Sequence, residues 1–421
     1  MNHNPAGAKN VVTGHDKHAQ LQPAAAPKPL HKTGTQQVPT KAAPPQQVRF
    51  QLEQLLGQHA ILAVRLMRGQ LNKSPDFLEA ATAALGLNTT ELSAAVASEY
   101  GAAGGEKFKQ LWTQHISSLF AYSKALADKD AAAKQKALAD LDAYTKEYGE
   151  FISAATKGEL PAAAVATSVD GHIHHLISQI DAYAAGDYKK AYQLEREAYA
   201  GMFSTGKGLA GATVSVKPGE LPAGFDDPPQ QLRSALGQLL GEHSELVVDV
   251  TRAALAKSPE FSEAAAALDA NTRELGQAIN AVFGANAADQ FGDLWADHVN
   301  AVVAFTTAVV EDNKADQAKA RADLDAWSDR FGSFLATAVK NRAAATAFVE
   351  VAHHHDEQLL TSITSFKDGD YAKAHQITYE GYQFMFAIAD NLAKAIESGT
   401  TRQMPKGGAA TGGGGAAAGG R

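Results

Sequence analysis

The chain has 421 residues, with 38 Lys and Arg against 46 Asp and Glu, a formal net charge of −8, and no cysteine. That length accommodates two domains of ordinary size. The absence of thiols excludes disulfides, thiolate metal sites, a cysteine nucleophile and c-type haem attachment, so any metal must rely on His, Met, carboxylate or carbonyl ligands.

Residues 1–45 are rich in Pro, Ala, Gln and Lys and hold five Lys against one Asp. Such a composition buries too little apolar surface to offset chain entropy, and predicts a disordered arm. The body that follows is therefore clearly acidic, which argues against nucleic acid as a partner. The start MNHNPAGAKNVV lacks the apolar core of a signal peptide, which points to the cytoplasm. Met1-Asn2-His3 has the X-X-His form that can chelate Cu(II) or Ni(II), a weak signal in such an arm, and His15, His18 and His31 add only a loose attraction for metals.

From residue 46 the pattern is helical. Leu52, Leu55, Leu56, His59, Leu62 and Leu66 fall at the spacing of one helix face, as do Phe108, Leu111, Trp112, His115, Leu119 and Tyr122. The spacing predicts long helices over 46–72, 105–128, 132–156, 162–185 and 188–210, with shorter helical pieces at 75–100. Gly101, Gly158 and Gly186 separate or end them. No apolar run reaches the length that spans a bilayer.

A proline-rich stretch at 214–229 then interrupts the helical pattern, and the chain starts again. LWTQHISSLFAY at 111–122 returns as LWADHVNAVVAF at 294–305, and AGDYKKAYQLEREAYAGMF at 185–203 returns as DGDYAKAHQITYEGYQFMF at 368–386. The fold class read from this pattern is all-α: two tandem homologous helical bundles with disordered N- and C-terminal tails. The boundaries are an arm at 1–45, repeat one at 46–212, a linker at 213–227, repeat two at 228–398 and a Gly/Ala tail at 399–421.

Three histidines recur in each half on apolar helix faces: His59, His115 and His172 in repeat one, His243, His298 and His355 in repeat two. Met202 and Met385 recur in the same way. Each lies near the middle of its helix, so antiparallel packing carries the four side chains of a repeat into one layer, where bundles build metal and cofactor sites. Asp142 and Asp325, in the shared LDAY and LDAW runs, lie at similar depth and could orient a ligating imidazole from behind.

A lone buried histidine most often satisfies two hydrogen bonds and does no more. Three in one apolar layer leave several nitrogens to satisfy, at about 1–3 kcal/mol for each failure. A metal or haem resolves this most simply. A fixed network with Asp142, Tyr144 or buried water is the structural alternative.

LLGQHAILAV, LWTQHISSLFAY, LDAYTKEYGEFISAA and HIHHLISQIDAYAAGDYKKAYQLEREAYAGMF, in that order, resemble a group of bacterial tandem helical-bundle proteins often labelled copper amine oxidase N-terminal-domain-like. The resemblance covers nearly all of both repeats. It implies the His59, His115, His172 and Met202 pattern, which this chain keeps in both copies, and it implies a secreted or cell-surface location as the alternative to the cytoplasmic one. Nothing in the chain resembles the catalytic domain of a copper amine oxidase.

The elbow, zincin, P-loop and dinucleotide fingerprints are missing, as are the E-x-x-H pairs of di-iron bundles. The chain therefore reads as a non-enzymatic metal-binding protein with one site per bundle. Three imidazoles and a thioether favour copper, whereas zinc would take the three histidines and water. Two alternatives stay open: haem with His/His or His/Met ligation, and a surface scaffold whose histidines are structural. An enzyme whose open three-histidine site activates water or oxygen is a weaker one, since nothing names a substrate or a general base.

Overall fold

The computed structural model describes residues 44–76, 81–215 and 220–399. The expectations for the N-terminal arm with its Met1-Asn2-His3 motif, for part of the linker and for nearly all of the Gly/Ala tail lie outside these residues. Among the described residues the protein consists of eleven α-helices and one short 3-10 turn, with no β-strand, as the helical periodicity predicts.

In repeat one the helices are α1 (Pro45–Asn72), α2 (Thr82–Asp128), α3 (Ala131–Ala155), α4 (Ala162–Ala184) and α5 (Tyr188–Val214). Repeat two contains α6 (Pro228–Ala256), α7 (Phe261–Phe283), α8 (Ala285–Val310), α9 (Lys314–Ala338), α10 (Ala345–Lys367) and α11 (Tyr371–Gly399). The counts differ because α2 runs through a sharp break at Gly101 (φ 79°, ψ 169°), whereas its counterpart splits into α7 and α8 at Gly284 (φ 88°, ψ 171°). Both glycines adopt a conformation that side chains disfavour, so the same kink is built into both copies.

Helix starts are set by short polar caps. Asp130 and Asn313 accept from the third backbone N–H of α3 and α9, at 2.9 and 3.2 Å, and Asp187 caps α5 in the same way. Within each repeat every helix packs on its sequence neighbours, and the first helix closes the ring against the last: α1 on α5, α6 on α11.

The central helices α1 and α6 are buried almost all round. Residues 55–64 of α1 and 240–251 of α6 have no exposed side chain. One face of each turns to its own bundle and the other to the opposite repeat, so the two repeats share a continuous interior. Tyr199 and Tyr382 meet hydroxyl to hydroxyl at 3.2 Å, and the rings of Phe203 and Phe386 stack with centroids 6.1 Å apart. In both pairs the partners are equivalent residues of the two copies.

The polar contacts are reciprocal as well. Arg196 of repeat one bonds Glu242 and Glu274, while Tyr379, its counterpart, bonds Gln58 through its carbonyl and Glu91 through its hydroxyl. Tyr192 bonds Glu260, and its counterpart His375 bonds Asp76. Residue i touching j while j's equivalent touches i's is the signature of two-fold symmetry, so the repeats are related by a pseudo-two-fold axis past Tyr199 and Tyr382.

Close helix approach at this axis depends on glycine. A Cβ on Gly57 would lie 2.6 Å from the Tyr382 hydroxyl, and one on Gly241 would lie 2.8 Å from the Tyr199 hydroxyl.

Candidate metal centres

The histidines predicted to share a layer do so. His59 stands on α1 between Leu55, Leu56 and Leu62, which all face the bundle interior. His115 follows Leu111 and Trp112 on the same face of α2, and His172 lies one turn from Leu176 on α4. All three are buried. His59 Nε2 and His115 Nε2 are 3.1 Å apart, and the ring centroids of His59 and His172 are 5.9 Å apart. Trp112 packs against both His59 and His115, at 4.5 and 4.6 Å between centroids, and Tyr144 of α3 stacks on His115 at 4.8 Å.

Met202 of α5 reaches the same place. A cavity of about 20 Å³ is lined by His115, His172, Met202, Trp112 and Tyr144, with Ser168 of α4 and Thr205 of α5 at its outer end. That volume is room for one water or one ion.

Repeat two forms a triangle, and among the described residues this is the triad whose ligand atoms all converge. The ring centroids of His243, His298 and His355 are 5.8, 6.1 and 5.6 Å apart, and each ring offers a nitrogen within 4.8 Å of the other two. These three buried histidines could hold a metal ion. Trp295 packs on His243, and Trp327, which replaces Tyr144, stacks on His298 at 4.2 Å. Met385 is buried in the aromatic cluster that contains Trp295 and Trp327.

Burial keeps all six rings neutral. The imidazoles of His115 and His243 are pushed down to about 3, and those of His172 and His355 to about 4. His59 and His298 are held well below the usual histidine range by burial and by their neighbouring imidazoles. A neutral ring with a free lone pair is the form that binds a metal. Among the described residues, nine of the twelve ring nitrogens have no hydrogen-bond partner: Nδ1 of His59 and His115, both nitrogens of His172, His243 and His298, and Nε2 of His355.

The carboxylates expected behind the imidazoles are elsewhere. Asp142 and Asp325 are exposed, one helical step beyond the inward-facing Leu141 and Leu324, and Asp325 lies 3.4 Å from the surface residue His353. A step of about 100° per residue turns position 142 away from the face that Tyr144 occupies, so depth along the helix was matched but rotation was not.

In repeat two that place behind the imidazole belongs to Asp356, which the sequence reading missed. It is buried on α10, accepts from Ser328 Oγ at 2.9 Å, and its Oδ1 lies 3.3 Å from His298 Nδ1. The two atoms are close but make no hydrogen bond as they stand, so Nδ1 remains among the nine unpaired nitrogens, and a carboxyl group at this place could orient the ring with Nε2 toward a metal. Burial pushes the Asp356 carboxyl up to about 8. The signal was available: Asp356 directly follows His355 and stands where repeat one has the apolar Ile173.

No family model matches this chain, and no curated protein or solved structure is significantly similar to it, so the reading rests on the residues themselves.

Proposed function

We propose that this protein is a non-enzymatic metal carrier or store, with one three-histidine centre in each repeat, copper as the favoured ion and zinc accommodated. The observation that carries this reading is the set of orphaned imidazole nitrogens, because each unsatisfied buried polar group costs about 1–3 kcal/mol. His375 provides the internal contrast. It is buried as well, yet its Nε2 is 3.0 Å from Asp76 Oδ2. His375 has a carboxylate partner, whereas among the described residues the clustered imidazoles pair only once with each other, His59 with His115, and leave nine nitrogens without a bond.

Distances support the same reading. Two nitrogens bound to one tetrahedral ion at about 2.0–2.1 Å lie roughly 3.3 Å apart. The 3.1 Å between His59 and His115 is close to that, so both rings can ligate one ion with little movement. Haem fits less well, since the cavity beside His115 and His172 in repeat one is about 20 Å³. No described helix is long and apolar enough to cross a membrane.

Metal analysis of the full-length protein after reconstitution and dialysis tests the proposal. It expects about one copper or zinc ion per repeat, and less than about half an equivalent of either would remove it. In the variant His115→Ala/His298→Ala, binding should disappear while the helical circular dichroism signal remains.

A further inference from the structure

The two centres differ wherever a bound ion would meet something other than an imidazole. In repeat one the cavity beside His115 and His172 extends between α4 and α5 to Ser168, which is exposed, and Thr205, which is half-buried. Their hydroxyl oxygens are 3.4 Å apart. The 183-residue offset places Val351 and Ile388 at these positions in repeat two, so the equivalent rim is apolar. The third difference lies inside: Ile173 in repeat one is Asp356 in repeat two, buried and 3.3 Å from His298.

Each difference favours a different ion. Three imidazoles and the Met202 thioether carry no charge, so a monovalent ion is less costly to bury there than a divalent one, and a thioether suits a soft metal. The hydroxyl rim at Ser168 and Thr205 offers polar groups to an ion that must shed its water on the way in. In repeat two the carboxyl group beside His298 is a hard oxygen of the kind that suits a zinc-type divalent ion, and it is placed to orient the ring that binds it. Because Met385 recurs there, the carboxylate and the rim, rather than the methionine, separate the two centres.

We propose that the centres have diverged in metal class: repeat one takes monovalent copper through the opening between α4 and α5, and repeat two holds a divalent ion of the zinc type backed by Asp356. This rests on the metal-binding reading above.

The test uses the full chain, titrated with monovalent copper under reductant and, separately, with Zn2+, each against a chromogenic chelator. Met202→Leu should weaken copper binding at least tenfold and leave zinc unchanged. Asp356→Asn, which keeps size and an acceptor for Ser328, should weaken zinc roughly 10–100-fold, the usual cost of losing a group that orients a ligating histidine, and leave copper unchanged. Equal losses of both ions in either variant, or no change in both variants, overturn the divergence while leaving metal binding intact. A wild-type chain that binds neither ion overturns the metal-binding reading and the divergence with it.

Discussion

Repeat one and repeat two share a backbone down to the kink at Gly101 and Gly284, yet their polar interiors have parted. In repeat one the rings of His59 and His115 hydrogen-bond to each other beside a small cavity, whereas in repeat two a nitrogen of each ring lies within 4.8 Å of the other two, with Asp356 beside His298. Both arrangements keep the same helices in register, because the apolar faces that set the packing are common to both. What a duplicated fold preserves is the shape of the layer, and a few substitutions within it are enough to change its chemistry.

The largest expected effect is on stability with and without metal. At a free ion concentration a thousand times the dissociation constant, each occupied site stabilises the native chain by about 4 kcal/mol. Thermal unfolding should show a rise in Tm for wild type, roughly half of it in His298→Ala, and none when His115 is replaced as well. Equal destabilisation of these variants with and without metal would return the histidines to a structural role.

A second contrast lies about two and a half turns further along the central helices. Arg68 of α1 forms an ion pair at 2.8 Å with the buried Glu195 and lies over the rings of Tyr183 and Tyr192. Its counterpart Arg252 lies over Phe366 with Thr378 where Glu195 would be, and the carboxylates near it, Asp76, Asp249 and Glu245, each have another partner. Arg68→Leu should therefore cost about 3 kcal/mol or more, by stranding the buried Glu195. Arg252→Leu should cost less, since Asp249 and Glu245 keep Arg65 and Asp76 keeps His375. Chemical denaturation of the two variants compares them directly, and similar losses would show that Arg252 is held by contacts as good as those of Arg68.

The pseudo-two-fold axis can be probed with alanine. Gly57→Ala and Gly241→Ala force methyl groups against Tyr382 and Tyr199 and should each cost about 1–3 kcal/mol. Gly201→Ala, at a helical position with open space, should gain up to about 1 kcal/mol. A neutral result at Gly57 would mean that the repeats can slide apart without loss.

The smallest effect concerns pH. Burial, with Arg252 and Arg65 nearby, outweighs Asp76 and brings the His375 ring down to about 4, below the value of about 6.5 it regains on unfolding. Between these values the unfolded chain binds more protons than the folded one, so stability rises with pH there and falls on acidification. His375→Tyr installs the residue that repeat one has at Tyr192 and should flatten the slope of stability between pH 6.5 and 4 by up to about 1.4 kcal/mol per pH unit. An unchanged slope would show that His375 is not a titrating group in this window.

The sequence made the layer legible and its edges much less so. Four of the five long helices expected for repeat one agree with those observed to within a few residues, and Gly101 falls at the expected break, whereas the stretch read as shorter pieces at 75–100 is mostly one helix running from Thr82 into that break. His59, His115 and His172 could be assigned to one layer because burying an imidazole is costly enough to need explaining twice.

Two things were missed for the same reason. Asp142 and Asp325 were matched by depth along the helix, while their rotation places them in solvent. The periodicity likewise gave no account of the charged residues of α1 and α6, including Arg65 with Glu245 and Asp249. They are buried because the outer face of each central helix is covered by the other repeat, and periodicity along one helix carries no information about what covers it.

The contact of Tyr199 with Tyr382 has a consequence for how such a protein can change. Two separate copies of one repeat, meeting through this same surface, would form a homodimer in which every substitution appears twice, once in each half. A carboxylate at the Asp356 position would then enter both centres at once. Joining the halves in a single chain keeps the interface and removes that obligation, so one half can be altered while the other is left as it was. The asymmetry between Ile173 and Asp356 is a difference that only a fused pair can inherit.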